Sequence, residues 1–169
     1  MKEKLQQLFD TCIEDATTEE LEVLNQLLEG FNKKKLNLNS SYIGGLLHME
    51  RTIQDQVCEL TIPITPLLDN SLGIVHGGIT ATVIDTAMGT LANSLLPSGY
   101  GAVTTQLNVH YLTVGKGDYL TCRAEIDHKG SKTMVISSDV FRSDGKKIAQ
   151  ASGSFFVIEK ENRMNKNQK

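Results

Sequence analysis

Two features of this chain could do chemistry together. The first is His76-Gly77-Gly78, standing directly before a long apolar stretch that opens at Ile79. The first N–H groups of a helix have no intrahelical acceptor and lie at its positive end, so Gly77 and Gly78 are expected to point unsatisfied donors outward. Such an end can receive an oxyanion, and a substrate carbonyl reaches the backbone only where no Cβ intervenes. The same glycines would equally serve a plain turn into the helix. The second feature is Asp85, the only charged residue between His76 and Tyr100. A carboxylate in a buried helix costs several kcal/mol unless it is paired or hydrogen-bonded. Desolvation also makes a carboxylate a stronger proton acceptor, which suits a general base or nucleophile. The structural alternative is an exposed polar stripe that Asp85 shares with Thr82, Thr86 and Asn93.

Spacing limits how the two can combine. Gly77 and Asp85 are eight residues apart, about 12 Å along a helix rising 1.5 Å per residue. Within one chain they cannot act on one carbonyl, so a site using both must join the helix start of one subunit to the Asp of another across a two-fold axis. Asn70, in the loop leading to His76, and Thr104, at the start of a strand, are the remaining polar candidates. Asp69-Asn70-Ser71 is also an ordinary turn sequence, and Thr is common in strands. His48, His110 and His128 have no acid-base partner that sequence identifies and read as strand residues. Cys12, Cys58 and Cys122 lack metal-ligand spacing and read as reduced structural thiols, so no metal is expected.

The elements that must position these groups follow from periodicity. Leu5, Leu8, Phe9, Cys12 and Ile13 share one face of an amphipathic helix, and a second opens with the capping-box pattern at Thr17 and carries Leu21, Leu24, Leu27, Leu28 and Phe31. Lys33-Lys34-Lys35 closes it, either as a solvated, dipole-favoured end or as a basic docking patch. Residues 37–41 read as a linker. Cys58, Leu60, Ile62 and Ile64 then alternate as a half-buried strand. One long apolar helix follows Gly77-Gly78 and ends before Pro97. Four alternating stretches, about 103–113, 119–128, 133–142 and 146–158, are separated by tight turns and imply an antiparallel sheet. An apolar helix needs that sheet as cover, so the fold class is α+β, a curved antiparallel sheet around one central helix. Residues 1–40 are a helical extension and linker, 41–160 the main domain and 161–169 a polar tail.

Seventeen basic and twenty acidic residues leave a net charge of −3, which offers no footprint for nucleic acid and no cationic surface for anionic lipid. No stretch approaches the roughly 20 apolar residues that span a bilayer, and the N-terminus carries no apolar run, so a cytoplasmic protein is expected.

Asn70, Gly73-Ile74-Val75-His76-Gly77-Gly78 and Asp85, with the segment 104–111 and Ile148-Ala149-Gln150-Ala151, together resemble the hotdog-fold acyl-CoA thioesterases of the phenylacetate-pathway (PaaI) type over about 42–158. The resemblance implies that the Gly77 N–H polarises a thioester carbonyl, with Gly78 beside it, and that His76 and Asn70 orient that end. It further implies that Asp85 of the opposite subunit attacks or activates water, with Thr104 holding the water. Lys129-Gly130-Ser131-Lys132 matches a turn near the CoA nucleotide, though a solvated hairpin explains it as well. The expected activity is cofactor-free hydrolysis of an acyl- or aryl-CoA by a homo-oligomer, a dimer or dimer of dimers. The helical extension departs from compact members and bears on assembly and substrate access. A non-catalytic acyl-CoA sensor is the alternative from another class, and a hotdog dehydratase or hydratase a third, although paired glycines after the His are not needed there.

Overall fold

A computed structural model describes residues 1–160; the expected polar tail at 161–169 lies outside the described residues. The chain divides into two compact units, one of Met1–Met49 with Thr65–Leu67 and one of Glu50–Ile64 with the described residues from Leu68 on.

The first unit is helical. α1 (Lys2–Ile13) buries none of its residues, and α2 (Thr18–Lys35) opens on a complete capping box between Thr17 and Glu20. The Thr17 bonds hold the Glu20 carboxyl below its ordinary range. A short α3 (Tyr42–Leu46) follows, capped by the Ser41 side chain on the Gly44 N–H at 3.1 Å. Sequence reading missed α3 because Gly44-Gly45 looks like a breaker. The glycine serves contact instead: a Cβ at Gly30 of α2 would lie 2.7 Å from the Gly45 carbonyl oxygen, so the two helices cross where side chains are absent. Two further expectations are corrected in this unit. Asn39, placed in a linker, is buried and donates to the Met49 carbonyl at 3.2 Å. His48, expected in a strand, sits in the turn after α3 with φ of 48°, where its ring meets Lys33 Nζ at 2.9 Å and the Gln26 carbonyl at 3.0 Å.

The second unit holds the sheet. β1 (Glu50–Gln54), β2 (Val57–Pro63), β3 (Tyr100–Tyr111), β4 (Tyr119–Lys129), β5 (Thr133–Arg142) and β6 (Lys147–Glu159) form one antiparallel sheet in the order β1-β2-β4-β5-β6-β3. The expected strands are present within a few residues. β1 was not foreseen: Ile53 is its only apolar residue, and its turn uses Asp55 and Gln56, both at positive φ, in place of the usual Asn-Gly signal. α4 (Gly77–Ser94) packs against the sheet with Val83, Ile84, Ala87, Met88 and Leu91 fully buried. Strand side chains from Cys58, Leu60, Leu120, Met134, Ile136 and Phe155 close the core from the other side. This is the hotdog fold.

Candidate active site

The start of α4 is built by its own sequence. His76 is the N-cap, in extended backbone with φ −61° and ψ 133°. Its Nδ1 accepts the Gly78 N–H at 2.9 Å, doing with an imidazole what Ser or Asn usually does at this position. An acceptor at Nδ1 places the ring hydrogen on Nε2. The expectation that both glycines offer free donors is therefore corrected, because one is consumed by the cap. The Gly77 N–H has no acceptor among the described residues and points out of the helix end. Gly78 is needed for the cap itself, since a Cβ there would stand 3.0 Å from His76 Nδ1. Tyr111, at the end of β3, was not foreseen: its hydroxyl donates to the Gly77 carbonyl at 2.9 Å and its ring lies 3.5 Å from where a Gly77 Cβ would be.

The loop before this turn is fixed locally. Asn70 Oδ1 accepts the Leu72 N–H at 2.8 Å, the Asn70 N–H donates to the Ile74 carbonyl at 2.9 Å, and Asp69 bridges to Val75. Gly73, at φ +66°, gives the turn its left-handed residue. His76 is then anchored by its own N–H, which donates to the Leu68 carbonyl at 2.8 Å.

Asp85 lies two turns further along α4 and is half-buried, not enclosed. Its Oδ1 accepts the Thr104 hydroxyl at 2.7 Å. A bulge in β3 between Thr104 and Gln106 shifts the register against β6, and such a bulge re-aims side chains locally. Asp85 and Thr104 border a cavity of about 500 Å³ with Arg51, Thr86, Thr90 and Asn93. Asn93 ties its two walls together, donating to the Gly89 carbonyl at 2.7 Å and accepting the Ala102 N–H at 3.2 Å. The stripe of Thr86 and Asn93 set against a catalytic Asp85 in the sequence reading is thus the wall of the same cavity. The cation that the helix itself lacks comes from elsewhere in the chain: Arg51 of β1 lines the cavity and donates to Thr90 Oγ1 at 3.3 Å. No sequence signal could have found Arg51 while β1 itself was unrecognised.

The β4–β5 turn lies at the opposite end of α4 from Gly77. Lys129 Nζ donates to the Leu95 carbonyl at 2.8 Å, capping the helix C-terminus, and the Gly130 N–H donates to the Thr133 carbonyl at 2.8 Å. Ser131 and Lys132 are exposed. An α-helix of 18 residues spans about 27 Å, so one chain keeps Gly77 and this turn well apart. The buried thiols stay out of the chemistry: desolvation pushes Cys58 up to about 11 and Cys122 up to about 12, away from reactive thiolate.

Residues 72–149 match the sequence profile of the thioesterase superfamily. A Bacillus halodurans protein whose structure was solved with CoA superposes with a TM-score of 0.84 at 38% identity, over 90% of this chain and 99% of that one. A candidate esterase of Halobacterium salinarum is 36% identical over 115 residues, 62% of this chain and 76% of its own length. Acyl-coenzyme A thioesterase PaaI of Escherichia coli is 30% identical over 95 residues, 56% of this chain and 66% of its own length. The matched profile covers the loop from Leu72 to His76, all of α4 and β3, the strand that holds both Thr104 and Tyr111. With that likeness in sequence and the same fold, the chain belongs to the thioesterase superfamily as a PaaI-like, hotdog-fold acyl-CoA thioesterase, a thioester hydrolase.

Proposed function

We propose that the chain hydrolyses an acyl- or aryl-CoA thioester in a site shared by two copies, with Gly77 from one and Asp85 from the other. The observation that carries this reading is the placement of an unclaimed donor and a hydrogen-bonded carboxylate on one helix, Gly77 and Asp85, eight residues apart, about 12 Å along the axis. A two-fold axis beside α4 brings the start of one helix to the middle of the other. The outer edge of β3 supports such pairing, because this 12-residue strand pairs only with β6 among the described strands and leaves Val103 and Tyr111 exposed. The homo-oligomer is then a dimer or a dimer of dimers.

In this site the thioester oxygen accepts the Gly77 N–H, which stabilises the charge that develops on it. His76 and Asn70 hold the donor in place through the cap and the loop. Asp85 either takes a proton from water as the water oxygen bonds to the carbonyl carbon, or attacks that carbon itself. The Thr104 hydroxyl occupies Oδ1 and directs Oδ2 toward the water or the carbonyl. Collapse of the tetrahedral species breaks the C–S bond, the thiolate of CoA takes up the proton, and the acid departs. In the direct-attack variant an anhydride forms first and water then opens it.

The CoA in the Bacillus halodurans structure supports CoA as the thiol portion, and the turn with Lys129, Gly130, Ser131 and Lys132 supplies cations for its phosphates. Three cysteines without a disulfide fit a reducing cytoplasm. In this reading the helical unit of Met1–Met49 serves assembly or access, and the sheet unit that starts at Glu50 carries the chemistry. Incubating the full chain with a panel of acyl- and aryl-CoAs and measuring free thiol tests the proposal. Release from at least one member, lost in Asp85→Asn, is expected. Tight CoA-thioester binding without thiol release from any member would favour the sensor and overturn catalysis.

A further inference from the structure

α2 carries a feature that thioester chemistry does not use. Leu21, Leu24, Leu28 and Phe31 recur at the three- and four-residue spacing of a two-helix seam. Three of these remain open to solvent, Leu21 at 42%, Leu28 at 45% and Phe31 at 48%. Gly30, away from this stripe, is buried against Gly45 of α3, and at the edge of the stripe Leu24 and Leu27 border a crevice with Thr11 and Cys12 of α1. Phe31 is held in place by stacking on Tyr42, with centroids 5.4 Å apart.

The charges along α2 decide what can cover the stripe. Glu19, Glu20 and Glu22 crowd the start of the helix, and Lys33, Lys34 and Lys35 close it. We propose that α2 packs antiparallel against α2 of a second copy of this chain. In that register Leu21 faces the partner's Phe31, Leu24 faces the partner's Leu28, and Leu27 meets its own copy near the two-fold axis. Glu20 and Lys34 both flank the seam on the same side, one heptad to each side of Leu27. An antiparallel pair therefore sets Glu20 against the partner's Lys34, and Lys34 against the partner's Glu20, while the acidic start of each helix lies along the basic end of the other. A parallel pair would instead bring the two acidic starts together at one end and the two basic ends together at the other. Like charges at such spacing destabilise, and the antiparallel pair removes that repulsion. α1 lends a second reason for a helical partner in this unit: it buries none of its residues, and an isolated helix of its length is marginal in water.

Cross-linking in the full chain tests the register. Cys12 is exposed and is replaced by Ser, while Cys58 and Cys122 are buried and stay. In this background Glu20→Cys with Lys34→Cys is treated with a short bis-maleimide and run on a denaturing gel. Within one helix the two positions are 14 residues apart, about 21 Å, beyond the reagent, so a link joins two chains. The double variant is expected to shift to twice the chain mass, and each single variant to stay at chain mass. Adding Leu28→Asp to the double variant, at a site exposed in the single chain, is expected to cut the linked fraction by about tenfold. A linked dimer from either single variant would mean a parallel pair and overturn the register. No linked dimer from the double variant, in protein that retains its helical circular dichroism, would overturn the pairing. Thiol release from acyl-CoA is read separately, so failure here leaves the catalytic reading standing.

Discussion

In the proposed site the first turn of α4 and its middle contribute to chemistry by different means. At the first turn the useful group is a backbone N–H, aimed by the helix itself and left unclaimed because His76 caps Gly78 and not Gly77. In the middle the useful group is a side chain, Asp85, oriented by a hydroxyl from a bulged strand. A backbone donor survives most substitutions of its own residue, whereas a carboxylate is removed by a single one. The two regions should therefore respond very differently to the usual mutations, and the contrast can be broken at either end.

The largest effect is expected in the middle. Asp85→Asn keeps shape and loses the base, so kcat should fall by about 10² to 10⁴ with substrate binding largely kept. Near-normal turnover would make Asp85 a structural partner of Thr104. At the first turn, Gly77→Ala should do little to the fold or the donor, because a Cβ there meets only Tyr111 at 3.5 Å, an ordinary contact. Gly77→Pro is the informative change. Proline is favoured at the first helical position, and His76 already has the extended backbone that a residue before proline adopts. The variant should fold, lose the N–H, and drop kcat by about 10² to 10³. Normal rates in folded Gly77→Pro would remove the oxyanion role.

Smaller effects should separate the supports of each region. Thr104→Val deletes the 2.7 Å bond to Asp85 and should lower kcat by about tenfold with little change in KM. His76→Ala removes the cap on Gly78, which should cost about 1 kcal/mol of stability and lower the rate, readable by thermal unfolding beside kinetics. Tyr111→Phe loses the bond to the Gly77 carbonyl at 2.9 Å and should cost about 1 kcal/mol at most. A larger loss of rate in Tyr111→Phe than in Thr104→Val would reverse the order of the two ends.

Much of this arrangement was legible in the residues alone. The apolar run after Gly77-Gly78 and the tight turns after it determine the helix and the four long strands, since burial and period coincide there. The lone Asp85 stood out because nothing else in its helix is charged. What escaped was long-range or unusual in its chemistry. An imidazole as N-cap carries no common sequence signal. Tyr111 reaches Gly77 across 34 residues and Arg51 reaches Thr90 across 39. β1 is a polar edge strand that needs little apolar pattern, and α3 exists because two glycines let backbones touch.

The shared site is tested most directly by mixing defects. Asp85→Asn and Gly77→Pro chains, each nearly inactive, are co-expressed with different tags, and the doubly purified species is assayed for thiol release. If each site takes its donor from one chain and its carboxylate from the other, one site in the mixed pair draws Gly77 from the Asp85→Asn chain and Asp85 from the Gly77→Pro chain, and is intact. The other holds both defects, so activity should return to about half that of the wild type. Activity no higher than that of either parent would contradict a site built from two chains and separate Gly77 from Asp85.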